Sequence, residues 1–160
     1  MWNIPALNPM TNAPNNTVHG SVRLVRPATI GQTTAYSVTF TVPDGVYLMQ
    51  VSAIGGGGGG DGSAILGSPG ICAMYMPINV VPGQAILCVI GAGGGTSTNG
   101  TATSIGNYLT LSGGVGDGGG TAASWNQITP FTALSQFNNA ADTGGGTTTS
   151  GRAGIAVFTW

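Results

Sequence analysis

The side chains able to carry charge, thiol or imidazole chemistry are few enough to name. They are Arg23, Arg26 and Arg152, Asp44, Asp61, Asp117 and Asp142, Cys72 and Cys88, and His19; there is no lysine and no glutamate. Glycoside hydrolysis needs two carboxylates flanking one bond. Asp44 and Asp61 stand in turn contexts and Asp117 and Asp142 beside glycine runs, where aspartate serves backbone geometry. His19 lies in an Asn/Pro-rich stretch with no recognisable partner, and is expected to be solvent-exposed. Zinc takes four protein ligands in a structural site and three in a catalytic one, and two cysteines with one histidine do not make a convincing site. Cys72 and Cys88 read as two small buried hydrophobes in adjacent strands, with a disulfide across a hairpin as the alternative. No catalytic residue, metal site or cofactor is expected.

The run Gly55 to Gly60 matches the dinucleotide fingerprint G-x-G-x-x-G, but any polyglycine does. The fingerprint works only where a helix comes next and its N-terminus takes the pyrophosphate. Here Asp61-Gly62-Ser63 leads to Gly67-Ser68-Pro69-Gly70, which no useful helix can contain. A Walker A loop needs a lysine. Nucleotide binding is therefore not expected.

Composition explains why so little chemistry is available. Of 160 residues, 30 are glycine and only 4% are charged, against usual values of about 7% and about 25%. Long surface helices draw on Glu, Lys, Arg and Gln, so helices are disfavoured. Disorder usually pairs low hydrophobicity with high charge, and here the apolar fraction is an ordinary 41%. The surface must be Ser, Thr, Asn, Gly and backbone. With a net charge of -1 and three arginines, the phosphate contacts that dominate nucleic-acid affinity are missing. No apolar run has the ~20 residues of a membrane-spanning helix, so no membrane insertion is expected. Met1-Trp2-Asn3 is not the basic start of a signal peptide, and Pro5, Pro9 and Pro14 break up the residues after it. Any exterior location would then be reached by assembly or cell lysis.

These residues must be held by strands. Residues 1–35, rich in Pro, Asn and Thr, read as an arm or attachment segment, with Val22 to Val25 able to form one short strand. From there on the pattern is that of a domain, 36–160. Tyr36, Val38, Phe40 and Val42 alternate with Ser37, Thr39 and Thr41, a half-buried strand. Pro43-Asp44-Gly45 is a turn. Val46 to Ile54 is apolar enough to be buried on both faces. Ile71 to Val80 is a strand whose Pro77 suggests an edge or bulge. Val81-Pro82-Gly83-Gln84 turns into a strand at Ala85 to Ile90. Ile105 to Leu111 reads as one further short strand. Trp125, Ile128, Phe131, Leu134 and Phe137 fall at helical spacing and suggest one short helix. Gly154 to Trp160 alternates as a closing strand. Short strands separated by turn chemistry predict an all-β fold, a β-sandwich of jelly-roll-like kind.

Glycine segments recur between the strands, which a single flexible linker would not do. Lacking Cβ atoms, extended chains can lie side by side in a polyproline-II-like form with three residues per turn, joined by backbone hydrogen bonds and Cα–H···O contacts. Ordered glycine-rich loops of this polyglycine-II-like kind are the favoured reading, against floppy loops.

Four stretches in order resemble the glycine-rich domain at the ends of bacteriophage tail-fibre and related adhesin proteins. They are Phe40-Thr41-Val42-Pro43-Asp44-Gly45-Val46 with Val51 to Gly60; Val80-Val81-Pro82-Gly83-Gln84 with Val89 to Gly94; Thr103-Ser104-Ile105-Gly106 with Leu111 to Gly114; and Gly151 to Phe158. The resemblance covers roughly residues 36–160. It implies a sandwich carrying glycine loops, no catalysis, a place on the virion exterior, and binding of a host cell-surface receptor (a glycan or an outer-membrane component). It also implies a homo-oligomer, commonly a trimer; the N-terminal arm, read as an attachment segment, would hold other virion proteins. Family members usually sit behind a long fibre shaft, whereas only 35 residues precede the domain here. A separate tip protein, or a capsid-decoration or tail-assembly component without receptor binding, therefore stands as the alternative. Aromatic and amide side chains at loop tips suit receptor contacts. Asn99, Asn107, Tyr108, Trp125 and Asn126, in or near loops 55–70, 91–104 and 113–126, are the candidates, although Trp125 reads slightly more readily as a core anchor.

Overall fold

A computed structural model describes residues 19–25, 33–61, 65–117 and 150–160. Those residues form eight strands and no helix: β1 (Ser21–Val25), β2 (Tyr36–Thr41), β3 (Leu48–Ile54), β4 (Cys72–Asn79), β5 (Ala85–Ile90), β6 (Thr103–Ile105), β7 (Leu109–Leu111) and β8 (Ile155–Thr159). They pair into two four-stranded antiparallel sheets, ordered β1-β8-β3-β4 and β2-β5-β6-β7. The fold is all-β and sandwich-like.

Alternation places the core. In β2 the side chains of Tyr36, Val38 and Phe40 turn inward, while Ser37, Thr39 and Thr41 are exposed. Opposite them lie Met49, Val51 and Ala53 of β3 and Ala156 and Phe158 of β8, with Ile86, Cys88 and Ile90 of β5 closing the layer. Phe40 stacks on Phe158 across the two sheets, ring centroids 4.7 Å apart. A smaller cluster of Ile54, Cys72 and Val157 lies on the other face of the first sheet. So β3 is buried on both faces only near Ile54; Leu48 and Gln50 at its start are exposed.

Two turns are set by glycine. Gly45 and Gly83 adopt φ of 79° and 76°, the third position of type II turns that favours glycine, and the turns close through Val46 N–H to Pro43 O and Gln84 N–H to Val81 O. Pro77 sits on β4, an edge strand, and a register shift between Val51 and Ala53 lies across from the strand's first half. There Tyr75 has φ of 49°, and its N–H donates to the Ser52 hydroxyl at 2.9 Å.

Several expectations need revision. Ile105 to Leu111 is not one strand: Gly106, with φ of 47°, turns the chain so that β6 and β7 pair as a hairpin, Thr103 facing Leu111. Val22 to Val25 does form a strand, extended by Ser21. As β1 it pairs along its length with β8, so this part of the segment read as an arm is built into the sandwich. Cys72 and Cys88 do not lie in adjacent strands. β4 and β5 belong to different sheets, and both thiols are buried and free. The helix suggested by Trp125 to Phe137 falls outside the described residues.

Burial pushes both thiols up to about 11 from an ordinary value near 9, because the thiolate loses its hydration. The folded protein thus keeps protons that the unfolded chain releases. Any stability the thiols contribute is intact below about pH 9 and is lost as the pH rises toward 11. Reactivity tracks the thiolate. Iodoacetamide at pH 8 should leave both cysteines unmodified in the native protein and label both in denaturant, read by mass spectrometry. Phe158→Ala should lower unfolding free energy by about 3–5 kcal/mol in a urea titration, the usual cost of emptying a buried aromatic site.

Candidate receptor-binding surface

Strand ends define two poles. β3, β5 and β7 run into glycine segments, and β4, β6 and β8 emerge from them, so the described glycine-rich stretches gather at one pole. The opposite pole carries the turns at residues 43–46, 81–84 and 106–108.

At the glycine pole, Gly55 to Gly60 is buried throughout and is surrounded by other backbone. Its bonds repeat every third residue. Gly55, Gly58 and Asp61 donate N–H to the carbonyls of Ile71, Ser68 and Ile65 at 2.9, 2.8 and 3.1 Å. Gly56 and Gly59 donate to Thr101 and Thr98 at 3.0 and 2.9 Å, and Gly57 donates to Arg152 at 2.8 Å. In the other sense, the carbonyls of Gly56 and Gly59 accept from Gly114 and Asp117, and those of Gly57 and Gly60 accept from Gly94 and Ser97. A three-residue period is the repeat of the polyproline-II helix. It turns successive donors toward the 65–71, 98–101 and 150–154 segments, and successive acceptors toward the 112–117 and 91–97 segments. The outer segments bond to one another as well, through Ser68 to Val115, Gly100 to Gly114 and Gly151 to Gly94.

The approach of these chains excludes side chains. A Cβ on Gly56 would sit 1.8 Å from the Ala92 carbonyl oxygen, and one on Gly59 would sit 1.8 Å from that of Gly95. Thr103 pins the bundle to the sandwich. Its buried hydroxyl donates to the Ile54 carbonyl at 2.8 Å and accepts from Gly91 N–H at 2.9 Å, which joins the ends of both sheets. Nothing in the sequence distinguishes Thr103 from the other threonines around it, so this role is visible only in the fold.

The exposed residues of this pole are Thr96 to Asn99 with Thr101 and Ala102, then Ile65, Leu66 and Ile71, then Ser112, Val115 and Asp117, and Arg152. Of the loops expected to make contacts, the run Gly55 to Gly60 is buried and, among the described residues, mainly these residues reach solvent. The Asn99 carboxamide accepts from Gly116 N–H at 2.9 Å, tying two tips together. Asp61 accepts from Ile65 N–H through its own carboxylate, and Asp44 and Asp117 stand in turns. His19 is exposed, and among the described residues no group of three His, Cys, Asp or Glu side chains comes together.

The structure does not bring the nominated residues into one site. Asn107 and Tyr108 lie at the opposite pole from Asn99, in the β6–β7 turn. There they line a groove of about 340 Å³ with Gln84 and Leu87. Trp125 and Asn126 fall outside the described residues. Gln84, read from sequence only as a turn residue, is the side chain missed at this groove. Its Nε2 donates to the Tyr108 hydroxyl at 2.9 Å and its Oε1 accepts from Val81 N–H at 3.0 Å. A second groove of about 380 Å³ is lined by His19, Leu48, Gln50, Thr159 and Trp160. The Trp160 indole rests on Gly20, and its buried N–H has no acceptor among the described residues.

No protein-family model matches this chain, and no curated protein matches its sequence significantly.

The contact geometry separates glycines that tolerate a methyl group from those that do not. Gly95→Ala meets no atom closer than the Thr98 hydroxyl at 3.5 Å and should shift stability by less than about 1 kcal/mol. Gly56→Ala, which drives Cβ into backbone, should cost about 3 kcal/mol or more or prevent folding. Thermal unfolding of the pair reads the contrast. Thr103→Val leaves a buried donor and a buried acceptor unpaired and should cost about 2 kcal/mol or more, with Thr103→Ser recovering most of it.

Proposed function

We propose that the chain is a non-enzymatic module of a bacteriophage exterior, placed at a fibre or spike tip, that binds a receptor on the bacterial surface. The observation that carries this reading is the glycine-pole bundle, a platform of backbone from which short tips rich in hydroxyl, amide and apolar groups project. A surface with so few charges repels little and recognises by shape and hydrogen bonding. Rigid display lowers the ordering cost that a loop otherwise meets on binding. The sequence resemblance to tail-fibre and adhesin tips supports the same reading, in which the chain forms a homo-oligomer, takes the host receptor as partner and meets other virion proteins through its N-terminal arm.

Immunogold electron microscopy with antibody against the chain should label the distal end of a fibre or spike. The purified chain should also bind host cells and slow phage adsorption in proportion to its concentration. Label spread over capsid or neck, with no competition for adsorption, would instead assign a structural role in the particle.

A further inference from the structure

The groove at the turn pole has a chemistry that the receptor reading leaves unspecified. It opens between the start of β5, Gln84 to Leu87, and the β6–β7 turn, Gly106 to Tyr108. Its volume of about 340 Å³ lies at the lower end of small-ligand pockets, which run from ~300 to ~1,000 Å³. The walls are set before any ligand arrives. The Tyr108 ring packs beside Gly106, whose added Cβ would lie 3.6 Å from the ring and 3.3 Å from Ile86. The phenol oxygen is fixed by Gln84 Nε2, and the Gln84 amide is fixed in turn by Val81 N–H. By inventory, one Gln84 N–H and the phenol proton remain to be donated. Asn107, exposed in the turn, adds an amide with both donor and acceptor capacity.

The floor is apolar. Leu87 is 55% exposed and Ala85 is exposed beside it. On the same outer face, Thr39 and Thr41 lie opposite Leu87 and Ala85, with Ser37 and Val89 as the next pair and Thr110 facing Ser104 beyond. Among the described residues, no charged side chain lines the groove. Amides and a phenol at the rim, an aliphatic floor and no charge match one ligand class: a ring with hydroxyls at its edge and C–H groups on its face.

We propose that this groove is a binding site for an uncharged saccharide, seated with its C–H face on Leu87 and its hydroxyls on Gln84, Asn107 and Tyr108. Carboxylated sugars would find no cation among the described lining residues and should bind less well. The site lies at the pole opposite the glycine tips, so it stands or fails separately from cell attachment through those tips.

The test is a ¹H–¹⁵N NMR titration of the whole chain with glucose, galactose, mannose and N-acetylglucosamine, each also as a disaccharide, and with glucuronic acid. At least one neutral sugar should shift amide signals confined to residues 84–87 and 106–108. Asn107→Ala and Leu87→Ser, both at exposed positions, should weaken that binding about five-fold or more, as losing ~1 kcal/mol of contact requires, with thermal midpoints unchanged. Tyr108→Phe should weaken it too. The proposal is overturned if no neutral sugar shifts these signals at high millimolar concentration, if the shifts fall elsewhere, or if Asn107→Ala and Leu87→Ser bind as the parent does. Saccharide binding without cell attachment would sink the receptor reading and leave this site standing; attachment without saccharide binding would do the reverse.

Discussion

The three-residue hydrogen-bond repeat around Gly55 to Gly60 is the constraint on which the glycine pole depends. A buried backbone must have its donors and acceptors met. A β-strand answers that need with two neighbours in one plane. A chain turning every three residues points its groups in several directions around its axis, and here it meets five described segments. At Gly55, Gly56, Gly58 and Gly59 only glycine permits the approach, because a carbonyl oxygen stands where the Cβ would be. Glycine loses the most conformational freedom on ordering, and hydrogen bonds on several sides are what offset that loss.

The sandwich exists in a form that serves this bundle. β3 and β5 deliver their C-terminal ends, and β4, β6 and β8 take up the returning segments. The Thr103 hydroxyl then fastens Ile54 at the end of one sheet to Gly91 at the end of the other. The two sheets thereby hold the bundle as a vice holds a rod, and the bundle caps the open end of the sheets. Burial of Phe158, Met49 and Ile90 between the layers supplies the apolar association, while the pole is held by backbone bonds.

Much of the sandwich was legible in the sequence because it obeys simple alternation. Tyr36 to Val42 and the closing strand announce themselves by period two, and Pro43-Asp44-Gly45 and Val81-Pro82-Gly83-Gln84 by turn chemistry. Recurring glycine runs suggested ordered segments, but which carbonyl meets which N–H is a long-range matter that polyglycine cannot encode locally. The β6–β7 hairpin was missed because its turn, Gly106 to Tyr108, sits inside a run that reads as one strand. In sequence the two cysteines read as lying in adjacent strands because only the turn at residues 81–84 separates those strands. In fact β4 and β5 part into different sheets, a decision taken by the turn at residues 81–84 and the core rather than by the thiols. At the candidate site, Asn107 and Tyr108 stand out in the sequence as polar and aromatic groups near glycine. Gln84, which orients Tyr108, is distant in sequence and carries no local mark.

The threefold winding has a consequence for how such a surface can change over generations. Positions facing the axis, such as Gly67 and Gly70, have backbone where a Cβ would point, whereas Ile65, Leu66 and Ile71 on the same segment look outward, as do Ser112 and Val115 on the next. The axial letters are frozen. The outward ones can be rewritten almost freely, since no core packing reads them. A lineage under pressure to keep up with a shifting target could therefore vary its outer alphabet residue by residue while its inner grammar, glycine at the axis, stayed fixed.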